Sequence, residues 1–157
     1  MFRWTCISLT VGLATLAQQP AGADAASKPD QPQHGKMTAE QEKCAWACVD
    51  CARECEACLD HCAALISEGK KEHLRPLKAC TDCGDICALA AKVVARNGAL
   101  QAEVCEGCAR ACDSCGKVCE KFPQDEMMKK TADACKTCAQ ACREMIKHVG
   151  HHDPEKK

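Results

Sequence analysis

The chain has 157 residues, enough for one compact domain and short for two. Eighteen residues are cysteine against two Phe, two Trp and no Tyr, so an aromatic core is excluded. The 21 basic and 22 acidic side chains leave a formal net charge of −1 with no basic face, and without rings to stack bases or a Lys/Arg cluster to neutralise phosphates, nucleic-acid binding has no support.

Residues 1–25 read as a secretory signal peptide: one early positive charge at Arg3, an apolar run from about Cys6 to Ala17, then Ala21, Ala23 and Ala25 at a cleavage site. The run is too short to span a membrane, and the absence of a twin arginine points to general secretion. Removal of the signal takes Cys6 with it and leaves seventeen cysteines. Residues 26–37, with Pro29, Pro32 and Gly35, form a flexible leader; residues 38–150 form the bundle, and residues 151–157 a disordered tail.

The first predicted helix starts at Thr38, which with Gln41 makes a capping box, and runs to about Ser67, where Gly69 can take a left-handed C-terminal position. Along it Cys44, Cys48, Cys51, Cys55, Cys58 and Cys62 follow at alternating steps of four and three, which puts all six on one stripe. Glu42, Lys43, Asp50, Arg53, Glu54 and Asp60 make its solvent face. The second helix spans about Glu72 to Arg96 and carries Cys80, Cys83 and Cys87; Pro76 is tolerated only in its first turn, and His73 belongs to a frayed start. Asn97 and Gly98 stop it. The third runs from about Ala99 to Lys121 with Cys105, Cys108, Cys112, Cys115 and Cys119. After the turn Phe122-Pro123-Gln124, a fourth helix carries Cys135, Cys138 and Cys142 and ends near Gly150, with Met128 continuing its seam as core filling. The same spacing in four runs gives each helix a cysteine edge facing a common core, and short connections make neighbours antiparallel. The expected fold class is all-α, an antiparallel up-down-up-down four-helix bundle with a cysteine-lined core.

Three chemistries compete for these thiols. A disulfide framework is usual in exported, cysteine-dense chains, but bridging neighbours on one rigid helix closes almost no loop, and seventeen is odd. Zinc stays open, because four facing helices can build Cys₄ centres; iron–sulfur motifs end in distinct loops. Cu(I) is soft and accepts low coordination, so two sulfurs from one helix turn suffice. Seven CxxxC pairs supply them: Cys44 with Cys48, Cys51 with Cys55, Cys58 with Cys62, Cys83 with Cys87, Cys108 with Cys112, Cys115 with Cys119, and Cys138 with Cys142. Cys80, Cys105 and Cys135 remain to bind across helices or bridge ions. One monovalent ion per thiolate leaves the column nearly neutral, whereas Zn²⁺ at the same count buries a large excess of positive charge. All seventeen are expected metal ligands, for several Cu(I) ions per chain. A thiol packs as a small hydrophobe, so the bundle should fold before metal arrives. No nucleophile elbow, phosphate loop or paired acid and base is present, so the chain does not read as an enzyme.

Four cysteine-lined helices of repeated CxxxC behind an export signal resemble the Csp copper storage proteins, over about Thr38 to Gly150. The resemblance implies a bundle that stores many Cu(I) ions, exported to the periplasm, homo-oligomeric, and either delivering copper to a copper enzyme or copper chaperone or protecting against it. It implies no membrane attachment once the signal is removed. The alternative is a zinc- or disulfide-stabilised helical interaction module. Antiparallel geometry places Met37, Met145 and His148 near one mouth as candidate weaker ligands, with His34, His151 and His152 on the tails. His73, Met127 and Met128 fall at the other end, and His61 beside the stripe, without an assigned role.

Overall fold

The alternating spacing becomes helix in every case. In a computed structural model, which describes residues 37–149, the four cysteine runs lie on α1 (Ala39–Ser67), α2 (Leu74–Ala95), α3 (Gln101–Cys119) and α4 (Glu126–Val149). The predicted signal peptide, the leader before Met37, Gly150 and the predicted tail lie outside the described residues.

Local chemistry sets the helix ends. At the start of α1 the Gln41 N–H donates to Thr38 Oγ1 at 3.2 Å and the Thr38 N–H donates to Gln41 Oε1 at 2.8 Å, so two otherwise unpaired donors are satisfied reciprocally. At its other end Gly69 has φ of 91°, and the N–H groups of Gly69 and Lys70 reach back to the carbonyls of Ile66 and Leu65 at 2.9 and 3.0 Å. The end of α2 repeats this arrangement with Asn97, φ 52°, in the left-handed position, and with Gly98 donating to the Val93 carbonyl at 2.9 Å. Of the two residues expected to stop the helix, Asn97 therefore takes the unusual backbone conformation.

The second helix begins at Leu74 rather than Glu72, behind a 3₁₀ turn over Lys71–His73. His73 is not frayed. It is buried, and its ring lies 4.8 Å from that of Phe122 in the α3–α4 turn; a partner distant in sequence holds in place what local propensity would leave loose. Pro76 is the third residue of α2, within the first turn as its ring requires. α3 is shorter than expected because its last N–H groups switch to tighter bonds, Phe122 to the Cys119 carbonyl at 3.0 Å.

Each of α1 and α3 packs against both α2 and α4, leaving α1 opposite α3 and α2 opposite α4. Contacts at the ends fix the antiparallel sense. At one end Gln41 Nε2 donates to Asn97 Oδ1 at 2.7 Å and Gln101 Oε1 at 2.9 Å, and Lys43 pairs with Glu144 at 2.7 Å. At the other, His61 Nε2 meets Asp125 Oδ2 at 2.7 Å. The expected solvent face of α1 holds except at Glu54, which is 4 % exposed. Its carboxylate lies 2.7 Å from Arg53 Nη2 and 3.1 Å from Lys130 Nζ, without hydrogen-bond alignment to either, so the two cations neutralise it at the α1–α4 seam.

Candidate metal centre

All seventeen predicted ligands point inward. None exceeds 1 % exposure, and all are free thiols. The remaining core is mostly small or flexible: Ala45, Ala90, Ala91, Ala109, Ala132 and Ala139, with Val94, Met128 and Met145. With so little bulk between the helices, thiols meet even across the diagonals, Cys44 with Cys105 at 3.8 Å, Cys51 with Cys112 at 3.9 Å and Cys87 with Cys138 at 4.0 Å. At a rise of about 1.5 Å per residue the stripe on α1 is about 27 Å long.

Two of the seven CxxxC pairs have their sulfurs in direct contact, Cys58 with Cys62 at 4.0 Å and Cys83 with Cys87 at 3.9 Å. The shorter separations join different helices: Cys87 with Cys112 at 3.5 Å, and Cys48 with both Cys142 and Cys138 at 3.6 Å. The three cysteines outside the pairs do reach across, Cys80 to Cys115 at 3.7 Å, Cys105 to Cys44 at 3.8 Å and Cys135 to Cys51 at 3.8 Å. Sets of thiols gather within 4.8 Å of one another, among them Cys48, Cys108, Cys138 and Cys142; Cys51, Cys83, Cys87 and Cys112; Cys87, Cys108, Cys112 and Cys138; and Cys44, Cys105 and Cys142. The sets overlap. One sulfur belongs to successive groups, which makes a continuous column.

These separations suit a shared soft ion. With metal–sulfur bonds of about 2.3 Å, two sulfurs on one ion stand about 3.8 Å apart at a tetrahedral angle, about 4.0 Å at a trigonal one and about 4.6 Å when collinear. The observed thiol spacings cover the first two without moving a helix, and the third needs a shift of well under an ångström.

The thiols also set one another's acidity. Cys51 and Cys83 are each held below the ordinary thiol range, first by contact with Cys112, because a thiolate accepting S–H bonds from its neighbours is stabilised. Cys87 is pushed up through Cys108, and Cys142 through Cys105. Cys62, at the end of the stripe, is pushed up to about 12 by burial, with Cys58 adding to it. Full ionisation of a buried column needs a cation in it to replace the protons.

The residues expected at one mouth do share an end but sit in three surroundings. Met145 is fully buried in the core. His148 is exposed on a shallow groove lined by Ala39, Glu40, Lys43, Ala141 and Glu144. Met37 lies on a different groove, between α1 and α2, with Trp46, Val49, Ala91 and Ala95. At the other end Met128 places its Sδ 3.6 Å from Cys58 Sγ, a contact not foreseen by reading it as filler. The signal was its register: it precedes Cys135 by two seam steps through Thr131.

Residues 37–147 match the protein family described as Csp, copper storage protein. The uncharacterized cysteine-rich protein YhjQ of Bacillus subtilis (strain 168) is 36 % identical over 110 residues, which cover 69 % of this chain and 98 % of that protein. The solved structure of the Cu(I)-bound copper storage protein BsCsp3 is similar with a TM-score of 0.62 and 34 % identity, over 68 % of this chain and 97 % of its own. A cytosolic copper storage protein from Streptomyces lividans, solved with five coppers, gives a TM-score of 0.64 at 29 % identity, over 71 % of this chain and 95 % of its own.

Proposed function

Because the chain belongs to the copper storage protein family, we propose that its store is the thiol column itself, with the seventeen buried cysteines of the bundle as Cu(I) ligands. The protein stores copper as multiple Cu(I) ions in a four-helix bundle. The observation that carries the ligand assignment is the overlap of the thiol sets, in which Cys87 and Cys112 belong both to the set with Cys51 and Cys83 and to the set with Cys108 and Cys138. Two of the sets, Cys48, Cys108, Cys138 and Cys142 and Cys51, Cys83, Cys87 and Cys112, share no sulfur and have the ligand number of isolated Cys₄ zinc sites; the set of Cys87, Cys108, Cys112 and Cys138 joins them through shared sulfurs, which suits bridging thiolates and a filling near one Cu(I) per cysteine. Storage is binding, so no residue is assigned a catalytic role.

Anaerobic titration of the reduced protein with Cu(I), against a chromogenic Cu(I) chelator, tests this. Uptake should continue to on the order of one ion per cysteine. A tight capacity of about two ions or fewer, or displacement of copper by Zn²⁺, would instead support a zinc-stabilised interaction module.

Export, to the periplasm, rests on the signal-like residues 1–25, which precede the family match at residue 37. Residues 26–37 would then be a leader, residues 38–150 the storage bundle and residues 151–157 a tail. Intact mass of the protein recovered from fractionated cells should show the first 25 residues missing; an unprocessed chain in the cytoplasmic fraction sinks the export reading. A homo-oligomer would cover apolar surface now exposed, Trp46 at 62 % and Val49 at 44 %, and sedimentation reports it directly: a monomer at all concentrations contradicts it. The recipient would be a copper enzyme or copper chaperone, tested by whether loaded protein transfers Cu(I) to it faster than to a small chelator.

A further inference from the structure

We propose that Met128 is a further Cu(I) ligand, a thioether that terminates the thiol column at the end where α1 finishes and α4 begins. This rests on the copper-storage reading and adds to it a ligand of different chemistry.

Met128 is fully buried, and its Sδ stands 3.6 Å from Cys58 Sγ, as close as most thiol pairs in the column. Cys58 in turn lies 4.0 Å from Cys62. The register explains the placement. On α4 the seam steps back from Cys135 by four to Thr131 and by three to Met128, so the Met128 side chain enters the column on the same edge as the thiols. Thr131 is not an equivalent ligand: its hydroxyl donates to the Met127 carbonyl at 2.9 Å. Met145 occupies the matching seam position at the opposite end and is equally buried, yet among the described residues no thiol donates to its sulfur.

A thioether has no proton to lose. An ion held by Cys58 thiolate and Met128 releases one proton from Cys58 and none from Met128, and the single thiolate neutralises a monovalent ion. Thioethers also select the softer metal: Cu(I) accepts them, whereas zinc takes thiolate, imidazole and carboxylate. Met128 thus gives this end of the store a preference for Cu(I) that an all-thiolate site lacks.

The test uses the full chain labelled with methyl-¹³C methionine, whose five methyl resonances are assigned by single Met→Leu variants. During anaerobic Cu(I) titration the Met128 methyl should shift while that of Met145 stays in place, and Zn²⁺ should leave both unmoved. Met128→Leu, close in volume, should keep the helical spectrum and bind about one Cu(I) fewer. The proposal is overturned by a Met128 methyl that stays still at saturation, by equal shifts of both methionines, or by full copper uptake in Met128→Leu. Each of those leaves the store intact; failure of the unmodified chain to take up copper sinks the storage reading instead.

Discussion

At Gly98 an added Cβ would stand 2.9 Å from Val93 Cγ1 and 3.0 Å from the Val93 carbonyl oxygen. The carbonyl is fixed by its bond from the Gly98 N–H, so the clash cannot relax without breaking the end of α2. Gly98→Ala should destabilise the protein by about 1–3 kcal/mol, read as a lower thermal midpoint; an unchanged midpoint would show that the turn opens freely. Gly69, with nothing near its Cβ position, is different: there the demand is only the positive φ. Glu54 teaches the same lesson about neighbours. By spacing it belongs among the outer charges of α1, and only the approach of Lys130 from α4 makes its burial tolerable.

Among the elements, α4 depends on Asp125, whose Oδ1 accepts from the N–H groups of Met127 at 3.0 Å and Met128 at 3.2 Å while Oδ2 meets His61. Burial pushes this carboxyl up, but the His61 contact and the two N–H groups together outweigh it and hold it below the ordinary range. A carboxylate with a depressed folded value stabilises the fold above its unfolded pKa of about 3.9 and loses that contribution as pH falls through the folded value. Asp125→Ala should therefore cost about 1 kcal/mol near neutrality, with the gap to the unsubstituted protein narrowing below about pH 4. Denaturant midpoints across that range check it, and a gap independent of pH would remove the carboxylate from the account. Because Asp125 starts the helix that carries Met128, the cap also fixes the end of the column.

The whole molecule couples folding to filling. Seventeen buried thiols pack as small apolar groups, so the metal-free, reduced protein should give a helical circular dichroism spectrum and a cooperative melt. Loading should then raise the midpoint, since an ion held more tightly by the preformed column than by the unfolded chain stabilises the fold. Each ion that converts a thiol to a thiolate should release about one proton, measurable in weakly buffered titrations. A coil spectrum without metal would contradict preformed packing, and copper uptake without proton release would contradict thiolate ligation.

The inward stripes, the four helices and the Thr38 cap follow from spacing along the chain, because the helical repeat brings residues three and four apart to one face whatever surrounds them. So does the choice of sulfur as the lining of the core. The pairing of sulfurs across the bundle does not follow from spacing. Cys87 meets Cys112, Cys48 meets Cys138, and Met128 meets Cys58 only because of the rotation and stagger of each helix against its neighbours, which packing sets for all four at once. His73 against Phe122 and Glu54 against Lys130 were hidden for the same reason: each partner lies far along the chain, and no local periodicity relates them.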